Sequence, residues 1–304
     1  QWNMDGWGEW ENSLCMCRDG KSRNELMFSF VICSRNQDVS SELKQNLALT
    51  IGCEYELVVI DNSSNTYSIF QAYNEGVRRA KGDLLCFMHE DVLFRTKEWG
   101  RIVESHFASD NQIGLLGFAG THFLPDTPMY WYSSPFISQR NLNNDQGVVE
   151  EHFHEDWFGE TNVIEVVAVD GFCFFSKKNL FDRISFDEKT YKGFHLYDMD
   201  ICMQVIQSGY KVCVCRDVLA EHTWSESKQF SKQGAELFTD NLECFTKKWQ
   251  GSLPVNRGLK LSPEVYERVN MLYRQLYEAK RIRNSKAYHL GKAILLPFSW
   301  IKNN

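Results

Sequence analysis

The run Leu84-Leu85-Cys86-Phe87-Met88-His89-Glu90-Asp91 sets five apolar residues before an acidic end. A buried strand with carboxylates at its C-terminal tip holds oxygens rigidly at the ligand crevice of an α/β sheet. There they can bind a divalent cation that carries a phosphate. The competing reading is that Glu90 and Asp91 only cap the following turn. Other polar groups end apolar runs in the same way. Asp61 follows Leu57-Val58-Val59-Ile60, Ser34 and Arg35 follow Phe30-Val31-Ile32-Cys33, and His222 comes soon after Val212-Cys213-Val214-Cys215. Asp61 can accept a hydrogen bond from a base N–H or make an Asx turn with its neighbours. Asp198 opens a helical stretch, where a carboxylate serves either as general base or as helix cap. His222, taken alone, is a ligand candidate with a structural histidine as its rival.

From Met27 to about Val214 short β-rich apolar runs alternate with helical segments, the pattern of a sheet covered by helices. Strands are predicted at Phe28 to Cys33, Glu56 to Ile60, Leu84 to Met88, Ile113 to Phe118 and Tyr210 to Cys215. Helices are predicted through Leu43, Leu47 and Leu49, over Ile69 to Ala80, and over Trp99 to Phe107. Another should run from Tyr197 to Gln207 and stop at Gly209. Gly82 is expected to take the left-handed conformation that closes the second helix. Val163 to Phe175 reads as a strand pair broken at Asp170-Gly171. Thr121 to Glu160 reads as a long irregular loop, because Pro125, Pro128 and Pro135 interrupt it. Its Trp131, Tyr132, Trp157 and Phe158 would offer flat faces to a ligand or form a small core of their own.

With 304 residues, 43% hydrophobic and 24% charged, the chain can bury one substantial core. A net charge of −7 argues against a nucleic-acid partner. No stretch reaches the roughly 18 apolar residues of a membrane span, and no basic-then-apolar signal opens the chain, so a cytoplasmic location is expected. The ten cysteines lie mostly inside apolar runs, as reduced, buried thiols do. Cys15-Met16-Cys17 has the wrong spacing for a zinc knuckle. Between Ala279 and Asn304 the chain carries Lys280, Arg281, Arg283, Lys286, Lys292 and Lys302 without an acid. With Leu290, Ile294, Leu295, Leu296, Phe298 and Trp300 nearby, this tail suits the interface of an anionic membrane, or a helix packed on protein.

The ordered set Cys33-Ser34-Arg35-Asn36, Val59-Ile60-Asp61-Asn62, Asn74-Glu75-Gly76, Gly82-Asp83 to Asp91, Asp170-Gly171-Phe172 and Tyr197-Asp198-Met199-Asp200 resembles the inverting family 2 glycosyltransferases of the GT-A fold. The likeness spans about residues 27 to 225, and His-Glu-Asp-Val resembles a bacterial subgroup that replaces the common Asp-Asp-Asp run. It implies an α/β fold, Rossmann-like, with a mostly parallel central sheet flanked by helices over residues 27–247. Residues 1–26 would be an extension of unassigned role, and 248–304 a helical, basic, amphipathic tail. It also implies transfer of a sugar from a UDP-sugar to a hydroxyl of a glycan or lipid-linked glycan, in cell-surface polysaccharide synthesis. The enzyme would act at the inner face of the cytoplasmic membrane and use Mn2+ or Mg2+.

By the same resemblance Asp91 and His222 would hold the metal, with His89 just outside the site, and Asp198 would be the general base. Cys33, Ser34, Arg35, Asp61, Asn74, Glu90 and Gly171 would bind the nucleotide sugar. The family usually has Glu-Asp where this chain has Tyr197-Asp198. That exchange keeps a second class open, a scaffold that has lost catalysis. A nucleotidyltransferase is a third.

Overall fold

The computed structural model describes residues 26–134, 136–143, 148–152, 159, 161–222 and 232–285. The first 25 residues, Trp157, Phe158, Trp224, Ser225 and the basic tail from Lys286 lie outside the described residues.

The chain begins with β1 (Phe28–Ser34), α1 (Ser41–Thr50), β2 (Tyr55–Asp61), α2 (Ile69–Arg79), β3 (Leu84–Met88), β4 (Val92–Phe94), α3 (Trp99–Ser109) and β5 (Ile113–Gly117). Short strands follow as β6 (Ala119–Thr121), β7 (Phe123–Leu124), β8 (Ile137–Asn143), β9 (Val148–His152), β10 (Val163–Val166), β11 (Ala168–Val169) and β12 (Cys173–Lys177). It continues through α4 (Tyr197–Gln207), β13 (Lys211–Cys215), β14 (Ala220–His222), α5 (Lys232–Lys248), β15 (Val255–Asn256) and α6 (Pro263–Asn284).

The main sheet has the order β10-β13-β5-β12-β3-β1-β2. Strands β1, β2 and β3 are mutually parallel, as are β5 and β13, while β12 and β10 run antiparallel to their neighbours. Five strands therefore share one direction, and the sheet is the mixed, mostly parallel α/β sheet expected. β1 and β3 read as continuous apolar runs because both faces are covered. Their polar ends lie side by side: Ser34 is in register with Asp61, and Val31 with Phe87.

Local chemistry sets the helix ends. Ser40 Oγ accepts the Leu43 N–H at 3.1 Å and starts α1. Ser68 and Gln71 form a reciprocal capping box at α2. Leu43 and Leu47 are buried, but Leu49, expected on the same face, is exposed. Gly209, at φ +84°, ends the turn after α4 in the left-handed region. Gly82 differs from expectation. It is not among the glycines with positive φ, and α2 ends in an extended Ala80. A Cβ at Gly82 would lie 2.6 Å from Met27 O and 2.7 Å from Ser29 Oγ, so close chain approach excludes a side chain there.

The segment from Thr121 to Glu160 departs further from expectation, because it carries β8 and β9. β8 pairs with β6 and β9 antiparallel and with β14 parallel, and β14 pairs antiparallel with β4. Pro125 and Pro128 fall between β7 and β8, where they interrupt no ladder. Residues after α5 return to this region. β15 pairs with β7, and Tyr273, Tyr266 and Val269 of α6 pack against Phe123, Met129 and Phe136.

Asp200, in the first turn of α4, is 1% exposed and joins α4 to α5. It accepts from Tyr191 Oη at 2.9 Å, Trp249 Nε1 at 2.8 Å, Lys248 Nζ at 2.9 Å and Gln204 Nε2 at 2.8 Å. Asp200→Ala should therefore lower unfolding stability by about 2–4 kcal/mol, since it leaves two buried donors, Tyr191 Oη and Trp249 Nε1, unpaired, while Lys248 keeps its pair with Asp187 at 2.8 Å. An unchanged urea midpoint would contradict this account.

Candidate active site

Three tips at one edge of the main sheet bring the chemical groups together. The β1 turn and the β3 tip are joined directly: Ser34 Oγ donates to Glu90 Oε2 at 2.5 Å, and the Arg35 N–H donates to the same oxygen at 3.2 Å. Glu90 is thus turned toward β1. Burial pushes the Cys33 thiol up to about 11, so it stays protonated near neutral pH and acts as a packing group. At the end of β2 the exposed Asp61 accepts the Ser63 N–H at 2.9 Å, an Asx turn, and hydrogen bonds to Ser63 hold its carboxyl below the usual range.

His89 and Asp91 make different contacts from Glu90, meeting at His222. The pairing of β14 with β4 sets His222 opposite Val92, next to Asp91 in the chain. His222 Nε2 lies 3.5 Å from Asp91 Oδ1 and 3.4 Å from His89 Nδ1. Ligand atoms of the three side chains all fall within 4.8 Å of one another. The His222 ring stacks on Phe172 at 4.9 Å between centroids. His89, expected just outside this site, is a member of it: its Nδ1 faces His222 Nε2 across the turn that follows β3. Two imidazoles and a carboxylate, half-buried and convergent, fit a first-row divalent cation such as Mn2+ better than Mg2+, which prefers oxygen alone.

Asp198, in the first turn of α4, is 2% exposed. Its Oδ1 accepts the Met199 N–H at 2.8 Å, and its Oδ2 accepts the Tyr130 hydroxyl at 3.0 Å. Burial, reinforced by the nearby Asp170 charge, pushes Asp198 up to about 7. Burial also raises Asp170, an effect that His222 opposes. Asp170 Oδ1 accepts the Phe172 N–H at 3.0 Å, so it and Gly171 form the turn between β11 and β12. A carboxylate poised near neutral pH can take a proton from a hydroxyl, and the Asp170 charge couples it to His222 of the candidate cation cluster.

Two expected participants lie elsewhere. The Asn74 amide is engaged by the Phe186 backbone, donating to its carbonyl at 2.8 Å and accepting its N–H at 3.0 Å, so this residue braces the 186 loop and does not reach the cluster. Trp131 is 1% exposed and belongs to the core, whereas Tyr132 is open to solvent. Sequence reasoning missed Tyr130, whose contact with Asp198 spans the fold and leaves no local pattern. It also set His89 aside, because the pairing of β14 with β4 is what brings His222 to it. A second group, His106, Cys215 and Asp217, is closed by its own hydrogen bonds: Asp217 Oδ1 lies 2.8 Å from His106 Nε2 and accepts from Cys215 Sγ at 3.1 Å.

Solved structures with related backbones include A197 from STIV, with 15% identity, 66% of this chain and 87% of that one covered, and a TM-score of 0.39. GalNAc-T7 with UDP, GalNAc and Mn2+ has 14% identity and a TM-score of 0.49, covering 88% of this chain and 58% of its own. S. aureus TarS in complex with UDP-GlcNAc has 13% identity and a TM-score of 0.47, covering 86% of this chain and 74% of its own. Among curated proteins none matches. Residues 29–249, a span that contains the β1 turn, the β3 tip, Asp198 and His222, match the family described as Glycosyltransferase like family, to which the chain belongs.

Proposed function

We propose that the chain is an inverting, cation-dependent transferase that moves a sugar from a UDP-sugar to a hydroxyl of a glycan or lipid-linked glycan. The observation that carries this reading is the pairing of His89, Asp91 and His222 with a buried, proton-accepting Asp198 at one sheet edge. Asp91 and His222 would hold Mn2+, which when bound offsets the charge of the departing diphosphate. The β1 turn, with Ser34, Arg35 and Glu90, would bind the ribose and base together with Asp61. Gly171 and Phe172 would form the floor beneath the sugar. Asp198 accepts the acceptor's hydroxyl proton as the new C–O bond forms, and the bond to the diphosphate breaks on the opposite face with its electron pair leaving on oxygen.

The acceptor side of the proposal rests on α6. Val265, Leu272 and Leu276 are exposed apolar positions, with Arg268, Lys280 and Arg283 on the same helix. That combination suits an anionic lipid surface at the cytoplasmic face. Among the described residues no helix is long and apolar enough to cross a membrane.

A panel of nucleotide sugars assayed with Mn2+ tests the donor class. Turnover of a UDP-sugar with an inverted product linkage is the expected result. Turnover of none, together with no Mn2+-dependent binding of UDP, would sink the proposal and favour a scaffold.

A further inference from the structure

Tyr197 stands where the sequence leads one to expect an acid, and its hydroxyl sits between two groups of the site. It donates to the Gly171 carbonyl at 3.0 Å and lies 2.9 Å from His89 Nε2. A carbonyl can only accept, so the single phenolic proton is committed to Gly171. Toward His89 the hydroxyl oxygen is then an acceptor, and His89 Nε2 must carry the proton. In a neutral imidazole this leaves the lone pair on Nδ1, the nitrogen that faces His222 Nε2 at 3.4 Å.

We propose that Tyr197 is a positioning residue that orients the His89 ring and fixes its tautomer so that Nδ1 serves the cation site, with Gly171 as the seat of its hydroxyl. The inference rests on the cation-dependent reading above and adds a third ligand and its support. An outer hydrogen bond of this kind sets ring direction and ligand basicity at metal-binding histidines.

Packing holds Tyr197 in place, with the Tyr73 hydroxyl as a further neighbour of its own. The side chain is 5% exposed, and its ring meets Tyr73 edge-on at 5.5 Å and Phe70 at 6.4 Å. Burial raises the phenol well above its ordinary range, so it remains a neutral hydroxyl. Gly171 has no room for a side chain: a Cβ there would fall 2.2 Å from Tyr197 Oη. The glycine thus admits the hydroxyl, the hydroxyl holds the imidazole, and the imidazole points its lone pair at Asp91 and His222. The exchange of the usual acid for tyrosine keeps an acceptor for His89 while adding no charge.

Two measurements test this, one of them on the protein without metal. Long-range 1H–15N correlation spectra of 15N-histidine-labelled protein at about pH 8, above the ordinary imidazole range, should report His89 protonated at Nε2 and should lose that preference in Tyr197→Phe. Mn2+ binding with UDP, followed by the free-ion electron paramagnetic resonance signal, should weaken about 10- to 100-fold in Tyr197→Phe. Gly171→Ala should weaken it to a similar extent. Tyr197→Phe combined with His89→Ala should bind no more weakly than His89→Ala alone. Melting curves for Tyr197→Phe check that the fold is retained.

Unchanged Mn2+ affinity in Tyr197→Phe, or a His89 proton found on Nδ1, overturns the proposal. If Asp91→Ala abolishes binding while Tyr197→Phe leaves it intact, only this inference fails. If the unaltered protein binds no Mn2+ with UDP, the cation-dependent reading fails and the inference falls with it.

Discussion

Asp198→Asn should reduce sugar transfer by at least about 1,000-fold and, above neutral pH, should make the protein more stable. On the mechanism proposed above, the first effect follows from loss of the group that takes the acceptor hydroxyl's proton, since an amide takes none; general-base catalysis is commonly worth about 10²–10⁴ in rate. The second follows from linkage. Asp198 titrates at about 7 in the folded chain, against an ordinary value of 3.8. Its folded value is raised, so the folded state holds a proton that the unfolded state has released between these limits. Stability is full below about pH 4, declines as pH rises toward 7, and stays lower above it. A difference of about three units corresponds to an upper bound on the order of 4 kcal/mol. Asparagine can still accept the Tyr130 hydroxyl and removes the buried charge. Thermal melts of both proteins from pH 5 to 8.5 should therefore diverge as pH increases, with the variant higher at the alkaline end. Parallel curves would mean that Asp198 is not held protonated by burial. In the unaltered enzyme, kcat/KM should rise through about pH 7 as the base ionises.

The same residues indicate how far the sequence reaches. The β1-to-β3 unit is legible because β1 and β3 are buried on both faces and its helices carry capping signals: the Leu84–Met88 run and the Tyr197–Gln207 helix have the bounds expected from pattern alone. β8 and β9 are hidden, since Ile-Ser-Gln-Arg-Asn-Leu-Asn and Val-Val-Glu-Glu-His are mostly polar; β8 is held by β14 far along the chain, and β9 pairs with β8. Carboxylates at strand tips were readable for the same reason as the strands. What those carboxylates touch was not, because Tyr130 reaches Asp198 across 68 positions and His222 reaches His89 across 133. Asn74 illustrates the converse. Its place in an ordered motif says nothing of which way a helical side chain faces, and the Phe186 backbone claims it.

Asp91→Asn and His222→Ala should each abolish the Mn2+-dependent part of UDP binding, seen in calorimetry as affinity that no longer responds to the cation, and should cut transfer by about 100-fold or more. The argument is electrostatic. The chain is net negative, and a diphosphate entering beside Asp170, Asp198 and Glu90 meets like charge unless a cation intervenes. Asp91 supplies the one carboxylate of the cluster, and His222 is the ligand brought in by β14. Asp91 is the more exposed of the two, at 26% against 15%, and the His222 ring rests on the core residue Phe172, so Asp91→Asn should melt near the unaltered protein and His222→Ala somewhat below it. Raised Mn2+ should partly restore Asp91→Asn, which retains a neutral oxygen at the site, and should restore His222→Ala less. Glu90→Gln provides the contrast. Its oxygen is engaged by Ser34 and the Arg35 N–H, so the variant should weaken UDP binding equally with and without Mn2+. A loss confined to the Mn2+ condition would move Glu90 into the cation cluster and Asp91 out of its central role.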